Sequence, residues 1–257
     1  MSQSTKGFAK GTVSIKAIIV VIAITIGYQI YISDPGFDED QVSFAYFSYG
    51  ISCLAVGIAS FFVARRYRGS PVFGKTYFAL AIGFTLLFVG DLIYNYYDIV
   101  LGEDPYPSIA DAFFIAFYAF AGFHIIKNVQ YFKKDLSWNA KIGVVAIAAS
   151  MIAIYGIMTI ETLYGDPVSY SLSMAYVLSS AAVLALALLG AVVFRNSVLG
   201  IAWGILVAGI FLYSVADVWY YYLEEFEAYT LSSPVNTLWI LSNAIMVYAL
   251  YVHKKTI

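Results

Sequence analysis

Residues 80–98, "LAIGFTLLFVGDLIYNYYD", form an apolar run of membrane-spanning length that contains one carboxylate, Asp91. A membrane helix needs about 20 mostly apolar residues, and an ionised side chain within it is costly. The same pattern returns in residues 206–224, "LVAGIFLYSVADVWYYYLE", where Asp217 takes the place of Asp91. The two segments together predict a helical membrane protein that contains an internal repeat.

The composition of the whole chain supports this fold class. Of the 257 residues, 61% are hydrophobic and 12% are charged, whereas a soluble domain carries about 25% charged residues. The first apolar run follows a basic N-terminus and is long enough for a retained helix, so we do not expect a cleaved signal peptide. We predict an all-α polytopic bundle of about eight transmembrane helices, near residues 14–33, 43–64, 75–98, 109–131, 141–163, 171–194, 199–223 and 235–253.

The charges divide between the two ends of these predicted helices. All 14 Lys and Arg residues fall in the two tails and the even-numbered connections or beside them. Fifteen of the 16 acidic residues fall on the opposite side or in the adjoining half of a span, and Asp135 is the exception. Because Lys and Arg are retained on the cytoplasmic side, we predict a cell-membrane protein with both termini in the cytoplasm. The acidic outer face needs an explanation of its own.

The repeat is detected by a shift of 126 residues. It aligns Leu80, Gly83, Leu86, Val89, Asp91, Tyr94 and Tyr96 with Leu206, Gly209, Leu212, Val215, Asp217, Tyr220 and Tyr222. We therefore predict two tandem four-helix units, residues 1–134 and 135–257. An even number of spans gives both units the same orientation, so we expect a pseudo-twofold axis along the membrane normal.

The two aspartates are the centre of a predicted site. Asp91, Tyr94 and Asp98 are spaced to share one helix face. Asp217, Tyr220 and Glu224 repeat that face in the second unit, and pseudo-symmetry would bring both faces to an outward-facing, acidic and tyrosine-rich vestibule. These six residues and Asp111 are the candidate ligand-binding residues. Two interpretations stay open: the aspartates bind a ligand, cation or proton, or they only accept hydrogen bonds between helices.

Ser108 and Asp111 also have a structural interpretation. A Ser followed three residues later by an acidic residue, just before an apolar run, is typical of a capping box at a helix N-terminus. The segment "SPVN", with Ser233 and Asn236, repeats the arrangement in the second unit. We expect both pairs to begin helices.

Other chemistry finds little support in the sequence. The single cysteine, Cys53, excludes an internal disulfide and a cysteine-based metal cluster. His124 and His253 have no second His or Cys near them in sequence, so no metal centre is predicted. No hydrolase, metalloprotease or phosphate-binding motif is present. We predict no enzyme activity, no cofactor and no nucleic-acid partner.

The segment "GEDPYPSIADAFFIAFY", preceded by "GDLIYNYYD", resembles a motif in the multi-span membrane regions of prokaryotic signalling proteins, where diguanylate cyclase, phosphodiesterase or histidine kinase domains often follow. The matching residues are Gly90, Asp91, Pro105, Pro107, Ser108, Ala110, Asp111 and Tyr118, and Ala119 stands where that motif usually has proline. The resemblance implies a sensor region. Because this sequence ends at "VHKKTI" without an output domain, we expect signalling through a separate protein partner.

Two functions from different classes follow. The first is a sensor-like module or accessory subunit of a membrane complex, which binds a small ligand, a cation or a protein partner at its outer face. The alternative is a cation- or proton-coupled transporter or channel, suggested by paired intramembrane aspartates in parallel repeats. A polar path through both membrane halves would favour transport, whereas a cavity closed below would favour binding.

Overall fold

The computed structural model describes residues 14–34, 39–132, 137–226, 228–230 and 232–256. Over these residues the chain forms eight helices and no strand. Each helix contains a segment long and apolar enough to cross a membrane, which confirms the predicted all-α, multi-pass fold. The helices are α1 (Ile15–Ile32), α2 (Glu39–Arg66), α3 (Phe73–Asn95), α4 (Ile109–Tyr131), α5 (Trp138–Thr159), α6 (Pro167–Phe194), α7 (Gly200–Glu225) and α8 (Pro234–Thr256).

Polar residues at the helix starts explain several of these boundaries. Helix α6 begins at Pro167, four residues before the predicted span, because Asp166 caps it: Asp166 Oδ1 accepts 3.0 Å hydrogen bonds from the amides of Val168 and Ser169. A proline at the first helical position fits this cap, since its missing N–H would have no intrahelical partner there. Hydropathy alone does not detect this polar first turn.

The end of α3 departs from regular helical geometry. After Asn95 the helix continues as a wider π-helical turn, Tyr96–Leu101, and then ends at Gly102. Gly102 has a φ of 64°, a left-handed conformation that glycine adopts without steric cost and that commonly ends helices. The π-helical turn carries Asp98, one of the predicted site residues, beyond the regular part of α3.

Six helices form a closed ring, and two lie outside it. Around the ring each helix packs against the next in the order α2, α3, α4, α6, α7, α8, and α8 packs back against α2. Helix α1 packs mainly on α8, whereas α5 packs mainly on α6. Both outer helices leave large apolar side chains exposed, among them Ile24 and Ile157, as expected for surfaces that face lipid. The interior of the six-helix ring is therefore the place for a site.

The two ends of the ring differ in character. The C-terminal ends of α1, α3, α5 and α7, which lead into the connections that carry most acidic residues, lie at one end of the bundle, called here the acidic end. At the other end, the basic end, His124 and His253 are buried on either side of Tyr77, with ring centroids 4.5 and 4.9 Å from the tyrosine ring. Sequence spacing gave no sign of this approach. Among the described residues, no three His, Cys, Asp or Glu side chains are placed to hold a metal ion.

Candidate functional site: an acidic, aromatic cavity

A cavity of about 360 Å³ lies inside the acidic end of the ring. This size falls within the range of small-molecule binding sites. All six ring helices contribute to its wall, together with residues of the loops before α4 and α8. The lining residues are Ala45, Tyr49, Leu87, Asp91, Tyr94, Asn95, Asp98, Tyr106, Asp111, Phe114, Tyr118, Tyr176, Tyr213, Asp217, Tyr220, Tyr221, Tyr229, Thr230, Asn236 and Trp239.

Most of the predicted site residues lie in this wall, and they come from both halves of the chain. Six of the seven candidates line the cavity: Asp91, Tyr94, Asp98, Asp111, Asp217 and Tyr220. Glu224 does not belong to the lining and lies half-buried in the last turn of α7. Of the other tyrosines in the two repeat segments, Tyr221 also lines the cavity, whereas Tyr96 is 52% exposed on the outer surface.

Asp217 is held by three donors from three different helices. Its Oδ2 accepts hydrogen bonds from Tyr118 Oη at 2.8 Å and from Ser180 Oγ at 2.6 Å. Its Oδ1 accepts a 2.9 Å hydrogen bond from Trp239 Nε1. The carboxylate therefore joins α4, α6 and α8 to α7. This arrangement is the interhelical hydrogen bonding that the sequence left open as an alternative to ligand binding.

Asp91, the counterpart of Asp217 in the repeat, has a different environment. One side-chain donor reaches it, Asn95 Nδ2, which lies 3.3 Å from Oδ2 on the same helix. Oδ2 also packs closely against Gly50 of α2, where any larger residue would collide with the carboxylate. The side chain is only 6% exposed and lines the cavity. Among the described residues, Asp91 is thus buried with one side-chain donor and the backbone of Gly50, whereas Asp217 has three side-chain donors.

Asp111 confirms the predicted capping box and has a further partner. Its Oδ2 accepts a 2.7 Å hydrogen bond from the amide of Ser108, whose Oγ in turn accepts one from the amide of Ala110. Its Oδ1 accepts a 2.5 Å hydrogen bond from Tyr176 Oη of α6. The capping pair therefore fixes the start of α4 and joins α4 to its ring neighbour α6.

The second predicted pair is bonded differently. Ser233 Oγ accepts a 3.0 Å hydrogen bond from the amide of Thr230, in the loop before α8. Asn236 Oδ1 accepts a 3.0 Å hydrogen bond from Tyr229 Oη. The amide oxygen of Asn236 and the carboxylate of Asp111 thus both accept a hydrogen bond from a tyrosine hydroxyl.

Tyr106 brings the loop before α4 into the wall. Its hydroxyl lies 3.0 Å from Ser173 Oγ and donates to Ser169 O at 3.4 Å. Burial raises the pKa of Tyr106 to about 12, with a smaller contribution from the nearby carboxylates of Asp111 and Glu225 and in spite of the hydrogen bonds with Ser173 and Ser169. Tyr106 is therefore neutral at physiological pH and can bind only as a hydrogen-bond partner or through its ring.

Aromatic rings form most of the remaining wall and contact one another. The ring centroid of Trp239 lies 5.2 Å from that of Tyr49 and 5.1 Å from that of Tyr220, and Tyr220 lies 4.9 Å from Tyr229. Tyr220 also contacts Tyr221 with ring centroids 5.0 Å apart, and Tyr221 stacks on Tyr176 at 4.6 Å. Sequence reasoning did not select Tyr49, Tyr118, Tyr176, Tyr213 or Trp239. Tyr118 is part of the motif that resembles signalling proteins, but nothing in the sequence near the other four residues marks them as cavity residues.

An apolar layer closes the cavity toward the basic end. A small void of about 30 Å³ lies there, and its wall is dominated by aliphatic and aromatic residues that include Phe84, Phe117 and Met246. The rings of Phe84 and Phe117 contact each other with centroids 4.9 Å apart. The wall also includes Ser180, Ser214 and His124, so a few polar side chains lie below the larger cavity among the apolar ones.

Comparison of the chain with protein-family models, with curated proteins and with solved structures finds no match in any of the three.

Proposed function

We propose that this membrane protein is a sensor-like binding module or an accessory subunit of a membrane complex, and that it binds a ligand or part of a partner in the acidic cavity. The observation that carries the proposal is the cavity itself: about 360 Å³, enclosed by six helices and lined by four carboxylates and eleven aromatic residues. Pockets of this size with a few convergent polar groups are typical binding sites.

The carboxylates of the cavity differ in their hydrogen-bond partners. This difference supports a binding role for one of them, Asp91, rather than a purely structural role for all. Buried polar groups in lipid-embedded proteins normally find hydrogen-bond partners, as Asp217 and Asp111 do. Asp91 keeps acceptor capacity on the cavity side. A carboxylate that is buried at a free-energy cost and only partly satisfied is a functional candidate, because burial without compensation is otherwise selected against.

The apolar layer beneath the cavity favours binding over transport. A transport path for a cation or proton needs polar groups or water along both membrane halves. Phe84 and Phe117 meet where such a path would continue. The mostly apolar wall of the void beneath the cavity therefore favours a binding module over the transporter alternative.

The packing of the ring also supports the proposed repeat. The proposed rotation exchanges the first four helices with the last four. It converts the contact between α2 and α8 into the contact between α6 and α4, and both contacts occur. It likewise exchanges the pair α2–α3 with α6–α7 and the pair α3–α4 with α7–α8. In our proposal the acidic end faces outward, and an occupied cavity is signalled to a separate membrane partner, as the resemblance to sensor regions suggests.

A cavity-filling variant tests this function. Ala45 lies in the cavity wall, so Ala45→Phe places a ring inside it, whereas Ala149→Phe places the same ring on the exposed face of α5. Both variants and the wild type are extracted in mild detergent and analysed by native mass spectrometry for bound small molecules and proteins. We expect a species that accompanies the wild type and Ala149→Phe but not Ala45→Phe. An identical set of bound species in all three proteins would contradict the proposal.

A further inference from the structure

We propose that the ligand of this cavity is an organic ammonium ion, which Asp91 binds as counter-ion and the aromatic walls enclose, while Asp217 serves the fold instead. The inference rests on the proposed function and names the chemical class of its ligand. It is carried by the difference between two aspartates that the repeat would make equivalent.

Asp91 has the free acceptor that a cationic ligand needs. Its single side-chain hydrogen bond, from Asn95 Nδ2, is long at 3.3 Å and goes to Oδ2. No second side-chain donor reaches the carboxylate from the described residues, although the backbone of Gly50 lies against it and the side chain is 94% buried and lines the cavity. An ionised carboxylate offers about four acceptor sites, so Asp91 can still accept several hydrogen bonds or a full positive charge.

Asp217 lacks this capacity because the protein already uses it. Three donors at 2.6 to 2.9 Å occupy its two oxygens. A ligand cation at Asp217 would have to compete with Tyr118, Ser180 and Trp239 for the same lone pairs. Asp217 therefore holds the helices together, whereas Asp91 faces the ligand.

The charge of the wall selects a cation. Four carboxylates line the cavity, and none of the described residues in its wall is Lys, Arg or His. The Lys and Arg side chains that the structure describes lie on the exposed surface or at the opposite end of the helices. An anionic ligand would meet repulsion from Asp91 and Asp98 with no compensating positive group.

The size and surface of the cavity select an organic cation over a bare metal ion. Within the described residues no three potential ligand side chains converge on one point, as a divalent cation would require. Eleven aromatic rings form the wall instead. Such rings attract an ammonium group through their negative faces, and aromatic enclosure is a common way of binding alkylated ammonium ions.

The wild-type protein provides the first test. The full chain in detergent is titrated with tetramethylammonium, choline and putrescine chlorides, and with sodium and magnesium chlorides at matched ionic strength. Thermal unfolding and the intrinsic fluorescence to which Trp239 contributes are recorded. We expect at least one organic ammonium to stabilise the protein saturably and to change the fluorescence, with no equal effect of either metal salt. Absence of any ammonium-specific effect, or an equal effect of magnesium, overturns the assignment.

Matched variants locate the binding group. Asp91→Asn keeps the shape of the side chain and removes its charge, whereas Glu161→Gln removes a charge from the exposed connection after α5. We expect Asp91→Asn to weaken ammonium binding at least tenfold and Glu161→Gln to leave it unchanged. Equal weakening by both would mean a diffuse surface effect and would contradict the role of Asp91.

A second pair of variants tests the aromatic wall while Asp91 stays unchanged, so its result does not depend on the folding of Asp91→Asn. Tyr94 lies one turn from Asp91 in the cavity wall. Tyr94→Phe keeps an aromatic ring there and should bind ammonium like the wild type, whereas Tyr94→Leu removes the ring and should bind several-fold more weakly. Equal binding by both variants would contradict the aromatic part of the proposal.

The two proposals fail in different ways. If Ala45→Phe loses a co-purifying species that the wild type retains, yet no ammonium probe binds, the ligand class is wrong and the binding function stands. If Ala45→Phe loses nothing and no probe binds, both are wrong.

Discussion

The indole N–H of Trp239 lies 2.9 Å from Asp217 Oδ1 and donates a hydrogen bond that ties α8 to α7 inside the membrane region. Tyr118 and Ser180 complete the set on the other oxygen. Burying a carboxylate in this region costs free energy that only good hydrogen bonds offset. The hydrogen bonds of Asp217 therefore hold α4, α6, α7 and α8 in position around the cavity.

We expect Asp217→Ala to destabilise the protein by about 2 kcal/mol, because it leaves three donors without their acceptor and intramembrane hydrogen bonds contribute on average about 0.6 kcal/mol each. Asp91→Ala, which loses one long hydrogen bond and a buried charge, should change stability by less than about 0.6 kcal/mol. Reversible unfolding in mixed micelles with increasing denaturing detergent measures both. A loss in Asp91→Ala as large as that in Asp217→Ala would show that the two aspartates are equally structural.

Close approach of α7 and α8 depends on Gly209. A Cβ added there would lie 2.6 Å from Met246 Cγ and 3.1 Å from the backbone oxygen of Ser242, so the helices would have to separate. We expect Gly209→Ala to destabilise the protein by about 1–3 kcal/mol, the usual cost of overpacking. Gly143→Ala is the matched control, since nothing lies within 4 Å of its position on α5. It should be neutral or slightly stabilising, because alanine is the better helix former. The same detergent titration measures both, and similar midpoints would contradict the predicted tight packing.

The number of helices and the interior position of both aspartates follow from the sequence for a simple reason. A span must be long and apolar, and a carboxylate within it must avoid lipid, so length and charge placement decide both points. The capping box at Ser108 and Asp111 is equally local, since it depends on a spacing of three residues. Where the sequence prediction erred, as at the start of α6, a polar first turn lay outside the apolar window.

The partners of the aspartates could not be predicted in this way. Tyr118 and Ser180 lie 99 and 37 residues from Asp217. In lipid every helix is apolar on all sides, so periodicity does not show which face meets which neighbour. The ring order, the outer position of α1 and α5 and the approach of His124 to His253 all depend on this missing information. The contrast between Asp91 and Asp217 is likewise invisible in two nearly matching segments.

We expect the hydrogen bond from Tyr176 to Asp111 to contribute to stability beside the N-cap of α4. Ser108→Ala removes an N-cap and should cost about 1 kcal/mol. Tyr176→Phe removes the 2.5 Å hydrogen bond to Asp111 Oδ1 but leaves the ring stacked on Tyr221. In a double-mutant cycle with Asp111→Ala, we expect Tyr176→Phe to show a coupling energy of about 0.6–1.7 kcal/mol. Additive effects would show that the two side chains are merely adjacent.

The orientation of the bundle stays a prediction, and single cysteines can test it. Cys53 is fully buried, and Cys53→Ala gives a cysteine-free background in which Asn243 keeps its 2.8 Å hydrogen bond to Ser52 Oγ. Ser33 lies exposed after α1 at the acidic end, and Gly69 lies exposed between α2 and α3 at the basic end. Because Lys and Arg mark the cytoplasmic side, Ser33→Cys should react with a membrane-impermeant maleimide in intact cells.

Gly69→Cys should react with the same reagent only after the cells are permeabilised, because residues 65–75 contain four of the basic side chains that the positive-inside rule places in the cytoplasm. Labelling of both variants in permeabilised cells controls for the reactivity of each thiol. If Gly69→Cys reacted in intact cells and Ser33→Cys did not, the acidic cavity would open to the cytoplasm. Its ligand would then have to be a cytoplasmic molecule, although the chemistry of Asp91 and the aromatic wall would be unchanged.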